Sequence, residues 1–205
     1  TAAQEFVNPE KELTGTDKVL EGVGHILAEA ISELANVRDA VRRVVWKTGK
    51  IVTSKAEIPE GEGLEYRDYF SYSEPVSHIP PHRVLAINRG DKEGPLKVKL
   101  EVPRQEIENT VFSQLPLEGH PQADFFRASA VDALDRLLLP SMEREVRRDL
   151  TETAERHAVD VFARNLRSLL LQPPINKQVV LAVDPGFRTG CKVAVLDPNG
   201  LMLEQ

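Results

Sequence analysis

A mainly helical α+β fold is what this sequence predicts, and three observations predict it. Apolar residues recur at three- and four-residue spacing through several long stretches. One stretch, Leu96–Val102, alternates strictly between apolar and charged residues. Beyond Gln172-Pro173-Pro174 the helical spacing gives way to short apolar runs divided by turn residues. Proline ends helices and biases the residue before it toward extended backbone, so the prolines and the change of pattern mark one boundary.

The first helix is Thr16–Leu34, with Val19, Leu20, Val23, Ile26, Leu27, Ala30, Ile31 and Leu34 at helical spacing and Thr16 as N-cap. Asn36–Thr48 repeats the pattern with Val37, Val41, Val44 and Val45, and Gly49 stops it. Residues 1–49 therefore read as a helical hairpin. Arg38, Arg42 and Arg43 admit a helix-turn-helix reading head. The plainer reading, a piece of helical core, is preferred, because such motifs say little without structural context.

Residues 50–140 read as a helical region with a small β element. Lys50–Gly63 is expected to be an exposed acidic connection carrying Glu57, Glu60 and Glu62. Glu65–Pro75 holds Tyr66, Tyr69, Phe70 and Tyr72. Beside Arg67 these rings suit base stacking. Without glycine-framed strands around them they read as local core. Pro81–Arg89 reads as a short helix with Pro81 in its first turn and Gly90 past its end. In Leu96–Val102, Leu96, Val98, Leu100 and Val102 face inward, and Lys97, Lys99 and Glu101 face outward. Arg104–Leu115 and Gln122–Leu139 read as helices, the second ended by Pro140.

Residues 141–172 read as one long spanning helix, roughly 46 Å at 1.5 Å per residue, with Ser141 capping its start. Met142, Val146, Leu150, Ala154, Ala158, Val161, Phe162, Leu166 and Leu169 form its apolar stripe. The other face mixes arginines with carboxylates. Intrahelical ion pairing is one reading of that face. A nucleic-acid contact through Arg144, Arg147 and Arg148 is the other. Residues 176–205 open a second domain: an apolar run at Val179–Val183, a turn at Asp184–Gly190, a strand at Cys191–Leu196 and a third strand from Leu201. Short turns between consecutive strands predict an antiparallel meander.

With 205 residues, 41% hydrophobic and 28% charged, the chain has the material for a real core. Its net charge of −6 excludes nucleic-acid binding over the whole surface. The single cysteine, Cys191, cannot pair within the chain, which suits a reducing cytoplasm. No run approaches the roughly 20 apolar residues of a membrane span. The first residues lack the charged and apolar regions of a leader peptide. Both ends read as cut.

Asp184 is the residue with the sharpest chemistry. A strand ending on an aspartate followed by a glycine turn opens an RNase H-like sheet. Nucleases of that shape hold two cations between several carboxylates, and magnesium prefers oxygen ligands. Asp184 would serve as catalytic residue and metal ligand, but its partner acids would lie beyond Gln205. Mg2+ is expected only on that reading; otherwise no cofactor is expected. The same turn, with Arg188 and Thr189, suits a phosphate in actin-like folds. It also suits a plain turn, since Asp, Pro and Gly are turn residues. His78 and His82 flank Pro80 and Pro81, which break any continuous helical face, so a zinc pair is not expected.

Four stretches carry a resemblance: YRDYFSYSEP, HIPPHRVLAINRGDKEGPLKVKLEV, LPSMEREVRRDLTETAERHAVDVFARNLRSLLLQPP and VVLAVDPGFRTGCKVAVLDPNG. In this order they resemble the Tex family of bacterial transcription accessory factors. Pro81 stands where family members commonly have Ser. The resemblance implies an N-terminal helical region followed by the first strands of a YqgF domain of RNase H-like fold. Helix-hairpin-helix elements and an RNA-binding OB-fold would lie outside this chain. It implies a scaffold role, linking RNA- or DNA-binding modules to the transcription machinery, with no membrane partner. Arg188 and Lys192, in and beside the DPGFRTGCK turn, join the three arginines as candidate nucleic-acid contacts. The alternative is a metal-dependent RuvC-like nuclease using Asp184, although the family's YqgF domain is often regarded as lacking the full carboxylate set.

Overall fold

The computed structural model describes residues 2–8, 10, 14–59, 61–173, 175, 177–186 and 190–204. The chain divides into two compact units, Thr1–Val159 and Asp160–Gln205. The fold class is α+β, mainly helical, as the periodicities require.

In the first unit, helices α1 (Thr16–Glu33) and α2 (Ala35–Thr48) form the hairpin, joined through Leu34 in extended conformation. Thr16 does not cap α1; Gly15 occupies the N-cap and makes no side-chain bond. Helix α2 buries Val37, Ala40, Val41 and Val45, so its apolar spacing becomes its core face.

The stretch from Lys50 is not an exposed connection. It begins with the central strand of a sheet, β1 (Lys50–Lys55), flanked by β2 (Ser71–Pro75) and β3 (Leu96–Glu101). Both pairings are antiparallel. Strand β1 escapes sequence patterning because its inward positions are Ile51 and Thr53, while apolar Val52 faces outward with Ser54. Thr53 is buried and tolerated there because its hydroxyl donates to the Tyr69 carbonyl, which offsets the penalty of an unpaired buried polar group. Strand β3 alternates as expected.

The tyrosines pack inward and are local core. Tyr66 is buried, and its hydroxyl donates to Glu93, a bond that pushes its pKa up to about 12. Tyr69 and Tyr72 meet edge to face with centroids 5.3 Å apart. They belong to a short 3-10 turn, Leu64–Tyr69, and to β2.

Helix α3 (Pro81–Glu93) runs past Gly90 and stops at Gly94, whose φ of 104° is left-handed. Gly90 is a packing residue rather than a terminator. A β-carbon there would lie 2.6 Å from Leu96 Cδ1 and 2.9 Å from Tyr66 Cδ1.

Helix α4 (Arg104–Ser113) precedes α5 (Ala123–Asp132). Helix α5 does not end at Pro140. It continues through a π-helical turn, Ala133–Leu138, into α6 (Leu139–Leu170) without a break. Proline lacks an N–H and crowds the carbonyl four residues earlier. The wider turn lies directly before Pro140, and at its end the Leu139 N–H donates to the Leu134 carbonyl, five residues back. Ser141 therefore lies inside a continuous helix and caps nothing; its hydroxyl instead accepts from Arg38 at 3.2 Å.

The core joins Val37, Val41 and Val45 of α2, Ile51 of β1, Ile87 of α3, Ile107 and Val111 of α4, Leu134 and Leu138 of the π turn, and Met142 and Val146 of α6. Among the described residues no buried side-chain nitrogen or oxygen lacks a partner.

The second unit holds strands β4 (Val180–Gly186), β5 (Gly190–Leu196) and β6 (Met202–Glu204), antiparallel in the order β4-β5-β6. The β5–β6 turn is closed by Asp197, whose Oδ1 accepts the N–H groups of Asn199 and Leu201, each at 2.8 Å. Those bonds hold its carboxyl below the usual aspartate range, the Leu201 amide foremost. No helix among the described residues is long and apolar enough to cross a membrane.

Candidate nucleic-acid interface

The sequence-predicted contacts fall on two elements. Arg144, Arg147 and Arg148 lie on α6 within the first unit, and Asp184 and Lys192 lie on β4 and β5 in the second. Arg188 lies outside the described residues, as does Thr189.

The three arginines behave differently from one another. Arg147 reaches to α3, where Nη2 donates to Asp91 Oδ2 at 2.7 Å and to Asn88 Oδ1 at 3.3 Å. Asn88 in turn donates to Thr151 Oγ1 at 2.8 Å. This half-buried network ties α3 to α6. Arg148 pairs with its neighbour Asp149 at 3.2 Å and approaches Glu152 at 3.9 Å, which is the intrahelical pairing expected of a solvated face. Arg144 is exposed and has no ion-pair partner among the described residues.

Two further arginines, on α2, fasten the same helix. Arg42 grips Glu145 with Nε on Oε1 at 2.5 Å and Nη2 on Oε2 at 3.2 Å. This fork geometry is the strong form of an arginine–carboxylate pair. The bond from Arg42 holds the Glu145 carboxyl below its usual range. Arg38 adds the bond to Ser141. Arg38, Arg42 and Arg147 are thus spent on holding helices together.

In the second unit Asp184 is exposed on β4 and stands opposite Lys192 of β5 in the strand register. Among the described residues no three His, Cys, Asp or Glu side chains gather as a metal would require.

Comparison with known proteins places this architecture. The family profile described as Tex central region-like matches residues 1–162. This chain belongs to the Tex family. A second profile, the Tex protein YqgF-like domain, matches residues 178–205. The chain is 39% identical over 204 residues to YdcI of Bacillus subtilis, covering 98% of this chain and 28% of that protein. It is 33% identical to the transcriptional accessory protein Tex of Neisseria gonorrhoeae, covering 99% of this chain and 27% of that protein. It is 29% identical to the human S1 RNA-binding domain-containing protein 1, covering 97% of this chain and 21% of that protein. The chain thus spans about a quarter of the length of these Tex relatives.

Sequence patterning placed Lys97 and Lys99 outward but missed the two strands that share their face. The signal for β1 was weak because Thr53, a polar residue, points inward.

Proposed function

We propose that this chain is the supporting core of a nucleic-acid-binding transcription accessory factor. It holds modules that bind RNA or DNA in fixed relation to the transcription machinery, in the cytoplasm. The observation that supports the scaffold reading is the unbroken helix from Ala123 to Leu170, keyed to α2 by Arg42–Glu145 and to α3 by Arg147–Asp91. Forked and networked arginines that bridge elements resist shear better than isolated surface pairs. The nucleic-acid part of the reading is supported by the names of two relatives, the transcriptional accessory protein Tex of Neisseria gonorrhoeae and the human S1 RNA-binding domain-containing protein 1. The chain's negative charge is consistent with strong binding residing elsewhere.

Fluorescence anisotropy with labelled single-stranded RNA and duplex DNA tests this. The full-length Bacillus relative is expected to bind one of them at least about tenfold more tightly than this chain. Equal affinity would overturn the scaffold reading. Failure of the full-length relative to bind either would overturn the nucleic-acid reading itself.

A further inference from the structure

Three strands bring together a face that no single stretch of sequence announces. On the outer side of the β2-β1-β3 sheet the register sets Ser54 between Ser71 and Lys97, Val52 between Ser73 and Lys99, and Lys50 between Pro75 and Glu101. All but half-buried Val52 are exposed. Three ammonium groups thus share the face with one carboxylate, on a chain whose net charge is −6. The side chains of Lys50, Lys97, Lys99, Ser54, Ser71 and Ser73 have no hydrogen-bond or ion-pair partner among the described residues. On α2 and α6, by contrast, Arg42, Arg147 and Arg148 are ion-paired.

We propose that this sheet face docks the phosphodiester backbone of single-stranded nucleic acid. The proposal rests on the nucleic-acid reading above and adds a binding surface to it. Lysines and serine hydroxyls are the side chains that contact phosphate without reading sequence. Lys97 and Lys99 are two residues apart on one strand, so their bases stand ~7 Å apart. One strand of a duplex carries a phosphate about every 3.4 Å of helix axis, so the two lysines span about two phosphate steps. The small serines of β2 and β1 leave room for a sugar-phosphate chain to lie close. No aromatic ring occupies this face, so base stacking is absent and the contact is independent of sequence. Lysines also guard exposed sheet edges against pairing with other chains. Edge protection accounts for β3 alone. It leaves Lys50 on the central strand unexplained, and the opposite edge, β2, carries only Ser71, Ser73 and Pro75 on this face.

The test is an anisotropy titration of this chain with a fluorescein-labelled oligouridylate at several salt concentrations. Lys97→Glu/Lys99→Glu is compared with Lys18→Glu/Arg127→Glu, which makes the same charge change on α1 and α5. The unsubstituted chain is expected to bind weakly, with a Kd on the order of 10⁻⁴ M. Lys97→Glu/Lys99→Glu is expected to weaken binding roughly tenfold and to lower the salt slope by ~1.4, with the control pair losing clearly less. The neutral pair Lys97→Thr/Lys99→Thr, which preserves strand propensity, is expected to fall between. An unchanged melting temperature in each variant confirms that the sheet is intact. No binding by the unsubstituted chain at low salt, or equal losses in the sheet and control pairs, overturns the docking face. The scaffold reading survives either result if the full-length relative still binds.

Discussion

The first half of α6 buries Met142, Val146 and Ala154 to 1% exposure or less, whereas the second half leaves Val159, Phe162 and Leu169 exposed by 65%, 67% and 61%. Both halves carry apolar residues at helical spacing on the same element. The difference teaches that spacing determines which face of a helix is apolar, while burial depends on what the rest of the chain lays against it. In the first half α2 and α3 do so, and arginines seal the rim at Glu145 and Asp91.

The contrast can be broken most forcefully at Met142, which is fully buried. Met142→Ala is expected to destabilise the first unit by about 2–5 kcal/mol, read from the urea midpoint, because it removes contacts and leaves a cavity. A loss below about 1 kcal/mol would mean that the first half is as loosely covered as the second.

A smaller effect is expected at the rim. Glu145→Gln keeps the shape but removes the charge gripped by Arg42, and should lower stability by about 1 kcal/mol or less at neutral pH. The pH dependence sharpens this. The bond from Arg42 holds the Glu145 carboxyl below its usual range, so the folded state binds that proton less readily than the unfolded state does. Its contribution is complete above the unfolded carboxylate range and is lost as pH falls through the lower folded value. Glu145→Gln should therefore flatten the acid-side decline in stability relative to the unsubstituted chain. An unaltered acid limb would show that the pair contributes nothing.

The smallest effect is expected in the second half. Phe162→Ser should shift the urea midpoint by no more than the equivalent of about 0.5 kcal/mol, since the ring is already exposed. A loss comparable to that of Met142→Ala would overturn the contrast.

Much of the fold was legible in the sequence. The hairpin, the alternating strand Leu96–Val102 and the long helix each follow from one clean period. What escaped did so for physical reasons. Strand β1 hides because Thr53 takes an inward position and satisfies its hydroxyl on a backbone carbonyl. Gly90 suggested a helix end, yet close packing against Leu96 and Tyr66, rather than backbone freedom, requires glycine there. Pro140 suggested a break that the π turn absorbs. The candidate site was legible only in part. The sequence singled out Arg147, but its bond to Asp91 joins positions far apart in the chain that no local pattern connects. The lysines of β3 were correctly placed outward, but their companions on β1 and β2 depend on a strand pairing invisible to local reading.

The π turn at Ala133–Leu138 also fixes a phase. Each residue of an α-helix advances the face by about 100°, and a π turn accommodates one residue more than the α-helical path it replaces. Leu134 and Leu138 of the turn face the same core as Met142 and Val146 of the helix that follows. Excising one residue within the turn would let the helix close to regular α geometry and swing everything after it by roughly a quarter of a rotation. Glu145 would leave Arg42, and Arg147 would leave Asp91. At this point in the chain a deletion is a rotation.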